Sequence, residues 1–144
     1  MDRRWILAPI ALWMALLFLV QVFGAFAAPD SSVMPDACPE DSQNCARATI
    51  GFDATPADVM AAALAWEDPS VVVVDGNSAH VVHHTRWLNY PDDMFLEADC
   101  NENGTWLNIQ SQSRLGVSDL GVNQDRIDGL LAHLASIDFE AAEC

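Results

Sequence analysis

The chain has 144 residues, of which 21 are acidic and 6 are basic, and its formal net charge at pH 7 is -15. The basic residues are six arginines, with no lysine. Because contacts to phosphate backbones need clustered Lys or Arg, we expect no nucleic-acid partner. The 15 Asp against 6 Glu indicate either a saline habitat, where salt screens the repulsion, or a genome poor in lysine codons. The sequence leaves both explanations open.

The N-terminus has the pattern of an export signal. Arg3 and Arg4 precede an apolar run over residues 5–26, and small residues follow it. The triplet over residues 25–27 fits an A-x-A cleavage site, which predicts a mature chain beginning near Ala28. The apolar run is also close to the ~20 residues that span a bilayer, so an uncleaved anchor with its arginines inside remains the alternative.

Either alternative places the remaining chain outside the cytoplasm, in the periplasm or cell envelope, with membrane contact only through the N-terminal segment. The expected organisation is a signal peptide or anchor over 1–27, a linker with a disulfide loop over 28–48 and one domain over 49–144. The linker assignment rests on the Pro-, Asp- and Ser-rich composition of that stretch. About 115 residues suffice for one small core.

The four cysteines lie in the exported part, where paired thiols are the expected state. They are Cys38, Cys45, Cys100 and Cys144. Three pairings are possible, and we favour Cys38 with Cys45 across a short polar loop, which leaves Cys100 with Cys144. Zinc is a poor alternative because no C-x2-C or matched His pair accompanies them.

The first predicted elements are a helix and a hairpin. Thr55 is a suitable N-cap and Pro56 a suitable first helical residue, which predicts a helix over 56–66. The β-branched run SVVVVD at 70–75 is followed by Gly76-Asn77, which predicts a hairpin into a strand over 79–88.

A second hairpin and a helix follow. The run YPDD at 90–93 is expected to break the preceding strand, and alternating apolar residues over 94–99 and 107–110 then predict a hairpin with one buried face. The stripe Ile127, Leu130, Leu131 and Leu134 predicts a helix over 124–136 with Asn123 as its N-cap. The expected fold is α+β, with about four antiparallel strands and two helices on one face of the sheet.

Three stretches carry a resemblance to a known family. They are SRLGVSDLGVNQDR at 113–126, CPEDSQNC at 38–45 and YPDDMFLE at 90–97. With these stretches the chain resembles the bacterial and plastid domain of unknown function family numbered 1499, over roughly residues 38–134. The resemblance implies a fold and an envelope setting, and it implies no established activity.

The first of these stretches is also the main candidate site. Arg114 and Arg126 offer planar forks of donors, and Asp92, Asp93 and Asp119 are the obvious acceptors. In one interpretation the arginines stabilise an acidic turn. In the other they bind a small anionic ligand at the N-terminus of the last helix. The candidate ligand or junction residues are Asp92, Asp93, Arg114, Ser118, Asp119, Asn123 and Arg126.

Two other catalytic or cation-binding patterns are incomplete. Ser118 with His133 and Asp128 contains the residue types of a hydrolytic triad, but the second glycine of the G-x-S-x-G elbow is missing. The loop over 99–104 imitates the first half of a calcium loop, while Gln110 replaces the bidentate Glu at position twelve. A hairpin turn is the favoured interpretation of that loop.

The histidines form a weak metal candidate. His80 and His84 share one face of the predicted strand, and Asp99 is a nearby carboxylate in the sequence pattern. A spacing of four along a strand separates the two imidazoles by ~13 Å, which is too far for one ion. We therefore expect no metal site, and expect these histidines and His83 to be exposed or half-buried and to titrate near pH 6.5.

The sequence thus predicts an exported domain that acts as a non-catalytic binding or interaction module, with an envelope partner or a small anionic ligand and no cofactor. One alternative is a hydrolase or metal-dependent enzyme that uses Arg114, Ser118, Asp119 and Asn123. The other is a purely structural acidic envelope protein.

Overall fold

The computed structural model describes residues 3–102 and 104–141. The described elements, in chain order, are α1 (Arg3–Phe26), β1 (Cys45–Phe52), α2 (Pro56–Leu64), β2 (Ser70–Asp75), β3 (Ser78–His84), β4 (Pro91–Asn101), β5 (Gly104–Ser113) and α3 (Val122–Ala135). The strands form one antiparallel sheet in the order β1-β5-β4-β3-β2. The α+β class is confirmed, with five strands where about four were predicted.

The strand missing from the sequence prediction is β1, which pairs with β5 along its whole length. Its core-facing residues are Ala46, Ala48, Ile50 and Phe52. Two of these four are small, so the alternation of apolar and polar residues is weak and did not indicate a strand. Because β1 begins at Cys45, the disulfide bond between Cys38 and Cys45 ties the preceding segment to the sheet.

The start of β4 was also predicted wrongly. Pro-Asp-Asp is typical of a turn, yet β4 begins at Pro91, where it pairs with β3, and it pairs with β5 from Asp92 onward. The preceding strand, β3, correspondingly ends at His84. Since successive side chains of a strand point to opposite faces, Asp92 and Asp93 lie on different sides of the sheet.

The hydrophobic core lies between one face of the sheet and helices α2 and α3. Helix α2 contacts β4 and β5, while α3 contacts β1 and β5. The predicted stripe of α3 enters this core, and Ile127, Leu130 and Leu134 are fully buried. Each buried aliphatic side chain contributes about 1.5–3 kcal/mol relative to exposure, so these residues account for the docking of α3.

The two core helices begin differently. As predicted, Thr55 caps α2 by accepting a hydrogen bond from the Asp58 amide at 3.2 Å. The prediction for α3 was wrong, because its N-cap is Gly121 with φ +89°. Asn123 lies inside the helix and is fully buried; its amide donates to a carboxylate oxygen of Asp119 at 2.7 Å, which supplies the capping acceptor from outside the helix.

The second face of the sheet is covered by the segment 27–44. The sequence predicted one buried face for the second hairpin, but Phe95 and Gln110 on the opposite face are buried as well. Segment 27–44 has no helix or strand, and the Arg47 guanidinium donates to its Pro35 carbonyl at 3.0 Å. The predicted pairing of Cys100 with Cys144 involves a residue outside the described ones.

The last turns of α1 pack against the domain. Gly24 is buried, and a Cβ atom at this position would collide with the ring of Pro91. The Gln21 side-chain amide donates to the Asn89 carbonyl at 2.7 Å, and Val20 is buried. Residues 7–16 of α1 are exposed, as at Leu7 and Leu12.

We predict that Gly104→Ala destabilises the fold much more than Gly76→Ala. Gly104 has φ +125°, and an added Cβ would collide with the Phe52 carbonyl, whereas Gly76 has φ +58° with open space around it. The expected losses in free energy of unfolding are about 3 kcal/mol and about 1 kcal/mol respectively. Urea unfolding of the full chain in detergent measures both, and equal losses would contradict the described turn.

Candidate functional site

An ion pair with a buried carboxylate lies on the second face of the sheet, near the start of β4 and the end of β5. Asp93 on β4 is 4% exposed. Arg114, directly after β5, binds it with two parallel hydrogen bonds, from Nε to Oδ2 at 2.7 Å and from Nη2 to Oδ1 at 2.7 Å. His80 on β3 contributes a third contact, with its Nε2 2.6 Å from Oδ1. Bidentate arginine pairs of this kind are among the strongest in proteins.

The charges of this pair stabilise each other. Burial alone would raise the pKa of the Asp93 carboxyl, but the hydrogen bonds from Arg114 and His80 outweigh burial and lower that pKa below its usual range. The hydrogen bond to Asp93 likewise raises the pKa of Arg114. Both groups are therefore ionised at neutral pH, and their charges cancel locally.

The same three residues connect separate parts of the chain. Nη1 of Arg114 donates to the Gly24 carbonyl in α1 at 3.3 Å. The other ring nitrogen of His80 lies 3.0 Å from the hydroxyl of Ser32 in the covering segment. The His80 ring stacks on Phe95 with the centroids 4.4 Å apart. A cavity of about 330 Å³ separates this cluster from the prolines of the covering segment.

A second ion pair lies on the helix-facing side of the sheet. Nη1 of Arg126 in α3 is 2.9 Å from Oδ2 of Asp92, and both side chains are buried. The angles are not those of a hydrogen bond, so neither oxygen of Asp92 has a hydrogen-bond partner. The same nitrogen of Arg126 donates a hydrogen bond to the side-chain oxygen of Asn123 at 3.3 Å. The pair is thus held by charge, and β4 carries one arginine partner on each face.

His83 lies on the same helix-facing side of the sheet as Arg126. Its burial and its pKa were predicted wrongly. It is buried, and its ring lies 5.5 Å from that of Trp66. Burial lowers the pKa of His83 from 6.5 to about 4, with smaller contributions from the charges of Arg126 and His84. His83 is therefore neutral at pH 7, and His80 is buried too, so only His84 is exposed as expected.

In the junction before α3, the polar side chain of Asn123 is hydrogen-bonded to neighbouring protein groups. The side-chain amide of Asn123 donates to Asp119, to Ser113 and to the Asn44 carbonyl, at 2.7, 2.9 and 2.9 Å. Its carbonyl oxygen accepts from the Ser111 hydroxyl at 2.5 Å. Burial would raise the pKa of Asp119, but hydrogen bonds from the amides of Asn123 and Gly121 lower it.

The structure does not assemble Ser118, His133 and Asp128 into a triad, which agrees with the incomplete sequence pattern. Ser118 precedes the first turn of α3, whereas His133 lies in its last turn, 11 residues after Val122, a rise of about 16 Å along the axis. Asp128 accepts a hydrogen bond from Gln124 at 2.9 Å.

The weak metal candidates are also apart. Asp93, and not Asp99, is the carboxylate beside His80, while Asp99 lies near the far end of β4 opposite Trp106. The calcium-like loop is the β4–β5 turn. Among the described residues, no group of three His, Cys, Asp or Glu side chains is placed to hold a metal ion.

A large groove in the structure was not predicted from the sequence. It is a groove of about 1,090 Å³ between the second half of α1 and the loops 85–90 and 114–121. Its walls are mostly apolar, with Asp92 and Arg126 among the lining residues. Trp87 is 75% exposed and Leu120 is 94% exposed beside it. No local pattern in the sequence indicates that α1 and these loops meet.

The sequence comparisons give one match, to a family model. A model described as "Protein of unknown function (DUF1499)" matches residues 28–134. The chain belongs to this family. No curated protein and no solved structure matches the chain. The DUF1499 match includes both ion pairs and the junction, and α1 precedes it.

We predict that His83 makes this DUF1499 domain less stable as the pH falls from 6.5 toward 4. The unfolded chain binds a proton at His83 below pH 6.5, while the folded chain binds it only near pH 4, so acid favours unfolding over this interval. The expected contribution is about 2 kcal/mol after allowance for solvent screening.

The measurement is the free energy of unfolding at several pH values for the parent, His83→Gln and His84→Gln. His83→Gln should flatten the profile between pH 6.5 and 4, and His84→Gln, at an exposed position, should leave it unchanged. A parent-like profile for His83→Gln would contradict the assignment.

Proposed function

We propose that the protein is a non-catalytic binding module that α1 anchors to a membrane, with the folded domain on the side away from the cytoplasm. The observation that supports this most strongly is the packing of α1 on the domain, because it creates the groove. The proposal combines a retained anchor, an exported domain and a binding surface next to the membrane.

The composition of α1 supports an anchor. Leu7–Phe26 is 20 residues long and strongly apolar, and most of its residues are not buried against the domain. By length and composition this segment is able to cross a bilayer. Arg3 and Arg4 precede it, and the tendency of arginines to stay in the cytoplasm orients the domain outward. The Cys38–Cys45 disulfide is typical of an oxidising compartment.

The contacts of α1 favour retention over cleavage. Gly24 fits against Pro91, its carbonyl accepts a hydrogen bond from Arg114, and Gln21 binds the Asn89 carbonyl. Cleavage after Ala27 would remove these partners. It would also leave the half-buried Arg114 guanidinium without one of its acceptors, which costs free energy.

The distribution of charge favours binding over catalysis. Asp93 and Asp92 are paired with arginines, and Asp119 is engaged by Asn123. The paired Arg114 offers little net charge to a small anionic ligand in the adjacent cavity, because its carboxylate partner neutralises it. The groove beside α1 is instead open and apolar, which is the usual character of a binding site.

We predict that the full chain keeps residues 1–27 and resists carbonate extraction from membranes. Intact mass spectrometry of the membrane fraction measures retention. In Gly24→Val the added side chain meets Pro91 and should lower the thermal midpoint of the domain in detergent. Ala15→Val, at an exposed position of the same helix, should leave that midpoint unchanged.

A soluble product whose mass begins near Ala28 would contradict the anchor. Equal midpoints for the two valine variants would contradict the packing of α1 on the domain.

A further inference from the structure

We infer that the loops 85–90 and 114–121 form a lipid-contact surface that enters the interface of the membrane holding α1, and that lipid acyl chains fill the groove. This inference rests on the proposed function, since it requires α1 to be in the bilayer. It identifies the partner at the groove as the bilayer itself.

The first observation is an exposed apolar patch on these two loops. Trp87 is 75% exposed, Val117 is 91% exposed and Leu120 is 94% exposed. One loop leaves β3 after His84 and the other leaves β5 after Ser113. Contiguous exposed apolar surface on a soluble domain generally marks an interaction site. These side chains are therefore placed to contact a partner and not the domain core.

The second observation is the position of α1 beside the patch. The groove is lined by Leu16, Leu19 and Phe23 of α1 together with Trp87 and Leu120 of the loops. Leu16 is seven residues before Phe23, so the groove follows α1 for about 10 Å of its axis. If Leu7–Phe26 crosses the bilayer, the loops lie beside residues that are themselves in lipid. Continuity with the anchor thus identifies lipid as the occupant.

The depth of the loops is limited by their backbone. Irregular chain exposed to hydrocarbon would leave amides and carbonyls unpaired, which costs several kcal/mol per group. The loops therefore belong at the boundary of headgroups and acyl chains, beside the end of α1 that leaves the bilayer, and acyl chains reach the deeper part of the groove next to Leu16. Tryptophan is enriched at this depth because its ring is apolar and its N–H is polar, which matches the exposure of Trp87.

The third observation is a cation at the edge of the patch. The guanidinium of Arg86 lies 5.7 Å from the centre of the Trp87 ring and is exposed. Arg114 and Arg126, in contrast, are paired with buried carboxylates. Arg86 is therefore positioned for a lipid phosphate while Trp87 lies below it. In a chain of net charge -15, this local charge does not act as a general attraction to anionic membranes, so apolar contact supplies most of the binding.

The experiment uses the full chain labelled with fluorotryptophan in phosphatidylcholine nanodiscs. The five tryptophans give separate fluorine resonances, which single Trp→Phe variants assign. A spin-labelled lipid broadens the resonances of residues near acyl chains, and a water-soluble paramagnetic chelate broadens those near solvent. Trp13 in α1 serves as the internal reference for lipid, and Trp106, 48% exposed on β5, as the reference for water.

We expect the lipid label to broaden Trp87 and Trp13 several-fold more than Trp106, and the aqueous chelate to show the reverse order. Leu120→Ser should weaken the broadening of Trp87 by lipid. Val72→Ser, at an exposed position of the edge strand, should not change it.

Three results would overturn the inference. Broadening of Trp13 by lipid while Trp87 follows Trp106 would leave the anchor intact and refute the lipid-contact surface alone. A Trp87 resonance shielded from both reagents would indicate that protein, and not lipid, covers the groove. Trp13 exposed to the aqueous chelate would refute the membrane anchor and the inference together.

Discussion

The bidentate ion pair between Asp93 and Arg114 is the interaction on which the arrangement of the chain depends. The pair lies on the face of the sheet opposite the helices. Arg114 also donates a hydrogen bond to the Gly24 carbonyl of α1, and His80, which contacts Asp93, also contacts the hydroxyl of Ser32. Removing one partner of a buried pair leaves an uncompensated charge, which typically costs 3–5 kcal/mol. The pair therefore links the domain to its covering segment and to α1.

An acidic chain with few cations uses two of them inside the fold. Arg114 and Arg126 neutralise adjacent carboxylates on opposite faces of β4, so the edge where α1 arrives carries buried, balanced charge. The groove beside α1 is mostly apolar, and Arg86, Glu67 and Asp119 are among its other lining residues. The proposed function uses this division: polar groups fix the geometry of the fold, and apolar groups form most of the groove that we propose faces the membrane.

Local sequence patterns predicted the features that depend on neighbouring residues. The turn at Gly76, the cap at Thr55 and the apolar stripe of α3 are of this kind. The strand β1 was missed because alanines at two of its core-facing positions weaken the apolar alternation. The start of β4 was missed because Pro91 before two aspartates has the composition of a turn. The division of Asp92 and Asp93 between two faces depends on pairing with β3 and β5, and the groove depends on the docking of α1, so neither was visible in a local pattern.

The most direct test of the central claim is hydrogen exchange of the full chain in nanodiscs, comparing Arg114→Gln with Arg126→Gln. Each variant removes one ion pair, and Arg114 also donates a hydrogen bond to the Gly24 carbonyl of α1. We predict faster amide exchange over residues 20–44 in Arg114→Gln, with β4 and β5 still protected, and parent-like exchange over 20–44 in Arg126→Gln. Unchanged exchange over that segment in Arg114→Gln would contradict the account.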